Sequence, residues 1–135
     1  MLIKEYRTYN EKEIIDLYNS VGFTAYTKKP EILKSAYQNS LLVLGAYKND
    51  KLAGIIRVVG DGTSIIFIQD LLVSPNYQRQ GIGSSLMKEV LNRYTNVRQI
   101  ELLTDKDDEV AKAFYKSLGF REFDDFNCLG FARFK

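Results

Sequence analysis

Two glycines one residue apart, Gly81 and Gly83, stand in "NYQRQGIGSSLM" (76–87), after an apolar run and at the start of a helical pattern. A chain can hold an anion at such a place. The first amides of a helix have no internal acceptor, and the helix dipole adds partial positive charge. Glycine lets a phosphate approach the backbone closely, and Ser84 and Ser85 offer hydroxyl donors. Two other phosphate motifs do not fit. The dinucleotide fingerprint needs a third glycine where Leu86 stands, and the Gly-Lys-Ser/Thr of a P-loop is absent. Spacing alone leaves two readings open, a phosphate-holding turn and a tight strand-to-helix turn.

The remaining chemistry is bounded by what the chain lacks. It has no histidine, which excludes histidine-ligated zinc and both Ser-His-Asp and Cys-His catalysis. Cys128 is alone, so there is no disulfide framework and no thiolate cluster. Reactivity falls to carboxylates, Tyr, Lys, Ser or backbone groups, and no metal is expected. The net charge is only +2 and the basic residues are scattered, so neither a nucleic-acid nor a membrane partner is predicted. The N-terminus lacks the apolar run of a signal peptide and no segment is long enough to span a membrane, so a cytoplasmic protein is expected.

Several elements must position these groups. "LIKEYR" (2–7) reads as a strand. Asn10 reads as an N-cap with Glu13 completing a capping-box pattern, and Ile14, Leu17, Tyr18 and Val21 follow at helical spacing up to Gly22. Residues 23–29 read as a loop, and Pro30 as the first position of a second helix. Residues 41–48, 51–61 and 64–73 are strand-like, with Asn49-Asp50 and Asp61-Gly62 at the turns. A helix over 81–95, a strand over 97–104 and a helix over 108–120 closed by Gly119 follow. Two short strand-like pieces are expected within 120–134. The order βααβββαβαββ, without repeat or linker, predicts one α+β domain over 1–135 with a mostly antiparallel sheet. The strands at 64–73 and 97–104, joined through a helix, form a parallel pair.

The wider stretch "LLVSPNYQRQGIGSSLM" resembles the acetyl-CoA signature Q/R-x-x-G-x-G/A of the GNAT superfamily of N-acyltransferases, through Gln78, Gly81 and Gly83. Val73, Pro75 and Tyr77 match its lead-in. "AKAFYKSLGF" (111–120) resembles a second family element through Ala111, Phe114, Tyr115, Gly119 and Phe120. Two departures stand out. Arg79 occupies a place that is often glycine, and Asp108 one that is often asparagine.

The resemblance implies a three-layer fold with a twisted mixed sheet, flanked by helices, whose parallel strands splay at one end. It implies acetyl-CoA as acyl donor, with no metal. The pantetheine arm would pair with Leu71, Leu72 and Val73, and the diphosphate would rest on Gln78, Arg79, Gln80, Gly81, Ile82, Gly83 and Ser84. Asp108 is a further contact to the cofactor or only a helix cap, because a carboxylate cannot donate the hydrogen bond that an asparagine amide would. An amine near pKa ~10 is neutral in about one molecule per thousand at pH 7, and the departing thiolate benefits from a proton donor. Tyr115 stands where the family keeps that general acid, although periodicity equally allows a core tyrosine. Asp70, interrupting "FIQDLLV", is the candidate base or amine contact, with a structural carboxylate as the alternative. Its neighbour Gln69 should face the opposite way in a regular strand. Phe23 and Tyr26, with Asp124, Asp125 and Phe126, are candidates to line the acceptor site. The activity implied is N-acetyl transfer to a small primary amine by a monomer or homodimer. The alternatives are a protein or peptide acetyltransferase and a non-catalytic CoA-binding module.

Overall fold

Asn10 caps the first helix, α1 (Glu11–Ser20), by accepting the Glu13 amide at 3.2 Å. The expected capping box is modified. Glu13 does not reach back itself; the Tyr6 hydroxyl bridges, donating to Glu13 at 2.8 Å and accepting from the Asn10 amide at 3.2 Å. This computed structural model describes residues 1–135. They divide into two compact units, Met1–Leu102 and Leu103–Lys135.

In the first unit, strand β1 (Leu2–Glu5) and α1 precede a four-residue helix, α2 (Thr24–Thr27), in the segment expected to be loop. Helix α3 (Pro30–Gln38) begins on Pro30. Strands β2 (Leu42–Lys48), β3 (Lys51–Gly60) and β4 (Ile65–Val73) form antiparallel hairpins, and helix α4 (Ile82–Arg93) leads to β5 (Gln99–Leu102). Asn49 and Asp50 both take positive φ (50° and 63°), the paired left-handed turn that suits the twist of a tight hairpin. The sheet order is β1-β2-β3-β4-β5, antiparallel except for β4 with β5.

The layers follow from strand alternation. Ile55 packs in the core with Ile14, Leu17, Tyr18, Leu33 and Tyr37 of α1 and α3. Its neighbour Gly54 faces the opposite side, where a Cβ would stand 3.2 Å from Ile82 of α4 and 2.8 Å from the Leu72 carbonyl. Helices α1–α3 therefore cover one face and α4 the other, and glycine at 54 lets α4 approach.

One irregularity organises β4. Arg57 pairs with Asp70, but Val58 pairs with Ile68, leaving Gln69 as an extra residue opposite no partner. This is a β-bulge. Leu72 and Asp70 face α1–α3, whereas Ile68, opposite Val58, faces α4. In a regular strand all would share one side. At the bulge Asp70 is 3% exposed, and its Oδ2 accepts from Arg57 Nε at 2.8 Å and from the Tyr18 hydroxyl at 2.7 Å. Because the Tyr18 proton goes to Asp70, Tyr37 donates to Tyr18 at 3.0 Å. Burial first, then Tyr37 and Asp70, push the Tyr18 phenol far above its ordinary range, so it stays a donor.

In the second unit, helix α5 (Glu109–Ser117) is closed by Gly119 at φ 92° and by a Phe120 amide bond to the Tyr115 carbonyl of 3.1 Å. The two strands expected within 120–134 do not form. A 3-10 turn spans Phe123–Phe126, and Asn127 is left-handed at φ 56°. The apolar residues that suggested strands are exposed, Phe131 at 92% and Phe134 at 85%, and alternation specifies a strand only where a partner or a core takes one face.

Asp70→Asn should destabilise the protein by about 3–5 kcal/mol, because it leaves the Arg57 guanidinium buried without its carboxylate. Tyr18→Phe should cost about 1.5–3 kcal/mol. Urea unfolding followed by circular dichroism measures both; an Asp70→Asn midpoint equal to wild type would remove the pair from its structural role.

Candidate active site

The ladder between β4 and β5 runs from Ile65↔Gln99 to Ile68↔Leu102 and ends there. Strand β4 continues to Val73, paired with β3 on one side only. Alternate backbone N–H and C=O groups of Gln69–Val73 therefore point to an edge that no strand of the sheet occupies. Leu71 and Val73 turn their groups to it, the Val73 carbonyl already accepting from Gln78 Nε2, while those of Leu72 face β3; strand-like amides of a ligand can add there.

Beyond β4 the chain turns sharply. The Ser74 amide is held by the Ala53 carbonyl at 2.8 Å, a 3-10 turn spans Pro75–Tyr77, and Gln78 Nε2 donates back to the Val73 carbonyl at 3.1 Å. Arg79 and Gly81 then both adopt left-handed φ, 63° and 80°. Alternating hand of this kind turns successive amides toward one concave side. Helix α4 starts at Ile82 without a side-chain cap, and its first internal bond runs from the Ser85 amide to the Gly81 carbonyl at 2.9 Å. The amides of Ile82, Gly83 and Ser84 thus have no acceptor within the helix. A Cβ at Gly81 would meet nothing within 4 Å, so glycine is required by its φ and the space in front of the turn is open. A left-handed backbone at 79 also explains why glycine suits that place.

Unpaired amide donors and open space fit a diphosphate, and the turn itself carries Arg79. Lys48, at the end of β2, donates to the Gln80 side-chain carbonyl and brings a second cation beside the turn. Nothing in the pattern around Lys48 distinguished it; its place comes from sheet register.

The other expected residues are distributed as follows. Asp70 lies inside the first unit with its Oδ2 shared by Arg57 and Tyr18, an arrangement that supports the structural reading. Gln69 does not face away from it. The bulge sends the exposed Gln69 carboxamide toward α2, where Nε2 stands 3.4 Å from the Tyr26 hydroxyl. Tyr26 meets the Tyr18 ring edge-on, with centroids 5.7 Å apart. Phe23 is 45% exposed and lines a shallow depression with Gly22, Thr24, Ala25 and Tyr26. A larger depression, about 480 Å³, lies elsewhere, between α1 and the β2–β3 turn, with Glu13, Asp16, Asp50 and Ser74 among its walls.

In the second unit Tyr115 is half-buried, edge-on to Phe114 (5.2 Å) and Phe120 (6.0 Å). Burial first, then the charge of Asp108, raise its phenol above its ordinary value, so it holds its proton throughout the neutral range. Asp108 itself caps α5, accepting the Ala111 amide at 2.9 Å. Asp125 and Phe126 both face Arg121, whose guanidinium lies 4.9 Å from the Phe126 ring centre. Asp124 sits in the same 3-10 turn, with its carbonyl accepting the Asn127 amide at 2.9 Å. No group of three or more His, Cys, Asp or Glu side chains is placed to hold a metal, and no helix is long and apolar enough to cross a membrane.

Comparison with known proteins agrees with this geometry. The model of the acetyltransferase (GNAT) family matches residues 11–120. A GNAT-family acetyltransferase of Streptococcus pneumoniae TIGR4 has a structure similar to this one, with TM-score 0.88 and 40% identity, over 99% of this chain and 97% of that one. An uncharacterized ycf52-like N-acetyltransferase of Prochlorococcus marinus is 32% identical over 88% of this chain and 67% of its own length. Histone acetyltransferase TAP1 of Glycine max is 27% identical over 80% of this chain and 52% of its own length. The chain thus spans from about half to two thirds of these two relatives. With a family match over most of its length and a mixed sheet opening at β4–β5, this chain belongs to the GNAT family of acetyltransferases.

Proposed function

We propose that the protein transfers the acetyl group of acetyl-CoA to the primary amine of a small molecule, by direct attack of the amine nitrogen on the thioester carbonyl. The observation that carries this reading is the left-handed turn at Arg79–Gly81, with uncapped amides opening from the end of an unpaired strand edge. Acetyl-CoA, when bound, supplies an activated acetyl group and a thiolate leaving group. The chain's own residues bind and orient. The amides of residues 79–84, with Arg79 and Lys48, hold the diphosphate. The free edge of Leu71–Val73 pairs with the amides of the pantetheine arm. A C–N bond forms, the C–S bond breaks, and the amine's proton is lost as the sulfur gains one. Tyr115 is the proposed donor to sulfur. Its raised pKa keeps the phenol protonated and so able to donate. No step runs through a metal.

A protein or peptide amine is the second reading, favoured by the likeness to the Glycine max histone acetyltransferase. Thiol release from acetyl-CoA, measured across a panel of small primary amines and lysine-containing peptides, separates the two. Turnover with small amines supports the first, turnover confined to peptides the second, and CoA binding without any transfer a non-catalytic module.

Gly81→Glu should abolish CoA binding in calorimetry while leaving the circular dichroism spectrum intact. It places a carboxylate where the diphosphate rests, at a φ that side chains rarely adopt. Unchanged affinity would reject the turn as the donor site. Tyr115→Phe should lower kcat by about 100-fold or more with CoA affinity preserved. Because the phenol's pKa is raised, wild-type turnover limited by this group should decline only at a pH above that at which an ordinary tyrosine ionises, and the decline should vanish in the variant. Full activity of Tyr115→Phe would remove its role as acid.

A further inference from the structure

We propose that Gln69, and not Asp70, is the residue of β4 that meets the acceptor amine, with Tyr26 holding its carboxamide in place. The inference rests on the acetyl-transfer reading above and identifies the acceptor contact within the same site.

The bulge redirects two adjacent polar side chains. In a regular strand only one of them could face the helical layer of α1–α3. Here the extra residue turns both toward it, and they are then separated by depth. Asp70 points inward, where Arg57 and Tyr18 occupy its Oδ2 and solvent does not reach it. Gln69 points outward and is exposed. A ligand arriving from solvent meets the carboxamide first.

Its position along the strand is equally specific. Gln69 is the first β4 residue past the last β5 partner of the strand, Ile68↔Leu102, and it lies two residues before Leu71 on the free edge. Any thioester bound along that edge has its acetyl end near the mouth of the split. The carboxamide is oriented as well. Gln69 Nε2 points to the Tyr26 hydroxyl at 3.4 Å, and Tyr26 in turn is set against Tyr18, which is fully buried and tied to Asp70 and Tyr37. This leaves Oε1 of Gln69 free, and an amide oxygen accepts an N–H. The amine would donate one N–H to Oε1 and keep its lone pair for the carbonyl carbon. A neutral acceptor does this without favouring the unreactive ammonium form as a carboxylate would. Tyr26 touches the carboxamide and also lines, with Phe23, a shallow apolar depression, so the fitting class is a primary amine carried on an apolar or aromatic body.

The test uses the full chain with phenethylamine and butylamine as probes. Amine binding to the CoA-saturated protein is read by calorimetry, and transfer by thiol release. Gln69→Ala should weaken amine binding and raise the amine KM by about tenfold, the loss of one hydrogen bond at a solvent-facing contact. The acetyl-CoA KM and the melting temperature should stay at wild-type values. Tyr26→Phe should give a smaller rise in the same direction, because the carboxamide keeps its oxygen but loses its anchor. A purely structural Gln69 would instead lower the melting temperature or move both KM values together. If wild type transfers acetyl to either amine and Gln69→Ala leaves the amine KM unchanged, the inference is overturned while the transfer reading stands. If wild type binds an amine through Gln69 but transfers nothing, the transfer reading fails and the contact stands. If wild type neither binds nor acetylates the probes, the proposed contact and amine class are overturned.

Discussion

A single extra residue in β4 sets the terms for the rest of the first unit. Without the bulge at Gln69, Ile66, Ile68, Asp70 and Leu72 would all point to one side of the sheet, and Phe67, Gln69 and Leu71 to the other. With it, Ile68 serves the α4 side and Leu72 the α1–α3 side. The place where the strand changes hands is closed by a carboxylate that ties β4 to Arg57 of β3 and Tyr18 of α1. A buried ion pair is expensive to desolvate and weak as a source of net stability. What it specifies is register, because Asp70 is satisfied only when it stands opposite Arg57 and under Tyr18.

The donor end of the site depends on a second local departure from regular backbone. Strand β4 outruns β5 by five residues, and the chain then reverses through two left-handed residues into an uncapped helix. Each feature alone leaves backbone groups unpaired. Together they line up strand-like donors and acceptors, then a cluster of amides, along one continuous path. That order suits a ligand with amides at one end and a diphosphate at the other, and it needs no charged cage. Arg79 and Lys48 add cations at the rim.

Much of this was legible from the chain itself. Gly81 and Gly83 after an apolar run marked the strand-to-helix turn, Asn10 and Pro30 marked helix starts, Gly119 a helix stop, and Asn49-Asp50 a hairpin. Each is a rule about a residue and its near neighbours, and each survives whatever the rest of the chain does. The C-terminal pieces failed for the converse reason. Phe131 and Phe134 carry a strand-like pattern, but pattern becomes structure only when a neighbour covers one face, and both remain exposed. The segment 23–29 also held a short helix that its polar and aromatic mixture did not announce.

The sequence by itself determined the local grammar: where helices begin and end, where the chain can turn left-handed, which chemistries are impossible without histidine, and the family its two spaced motifs resemble. The tertiary structure alone decided where Asp70 and Gln69 point and what each touches. Their direction depends on one unpaired residue in the ladder that sets Asp70 opposite Arg57, 13 positions away, and under Tyr18, 52 positions away. Burial, charge pairing and exposure are properties of the neighbours that register brings, and no window along the chain contains them.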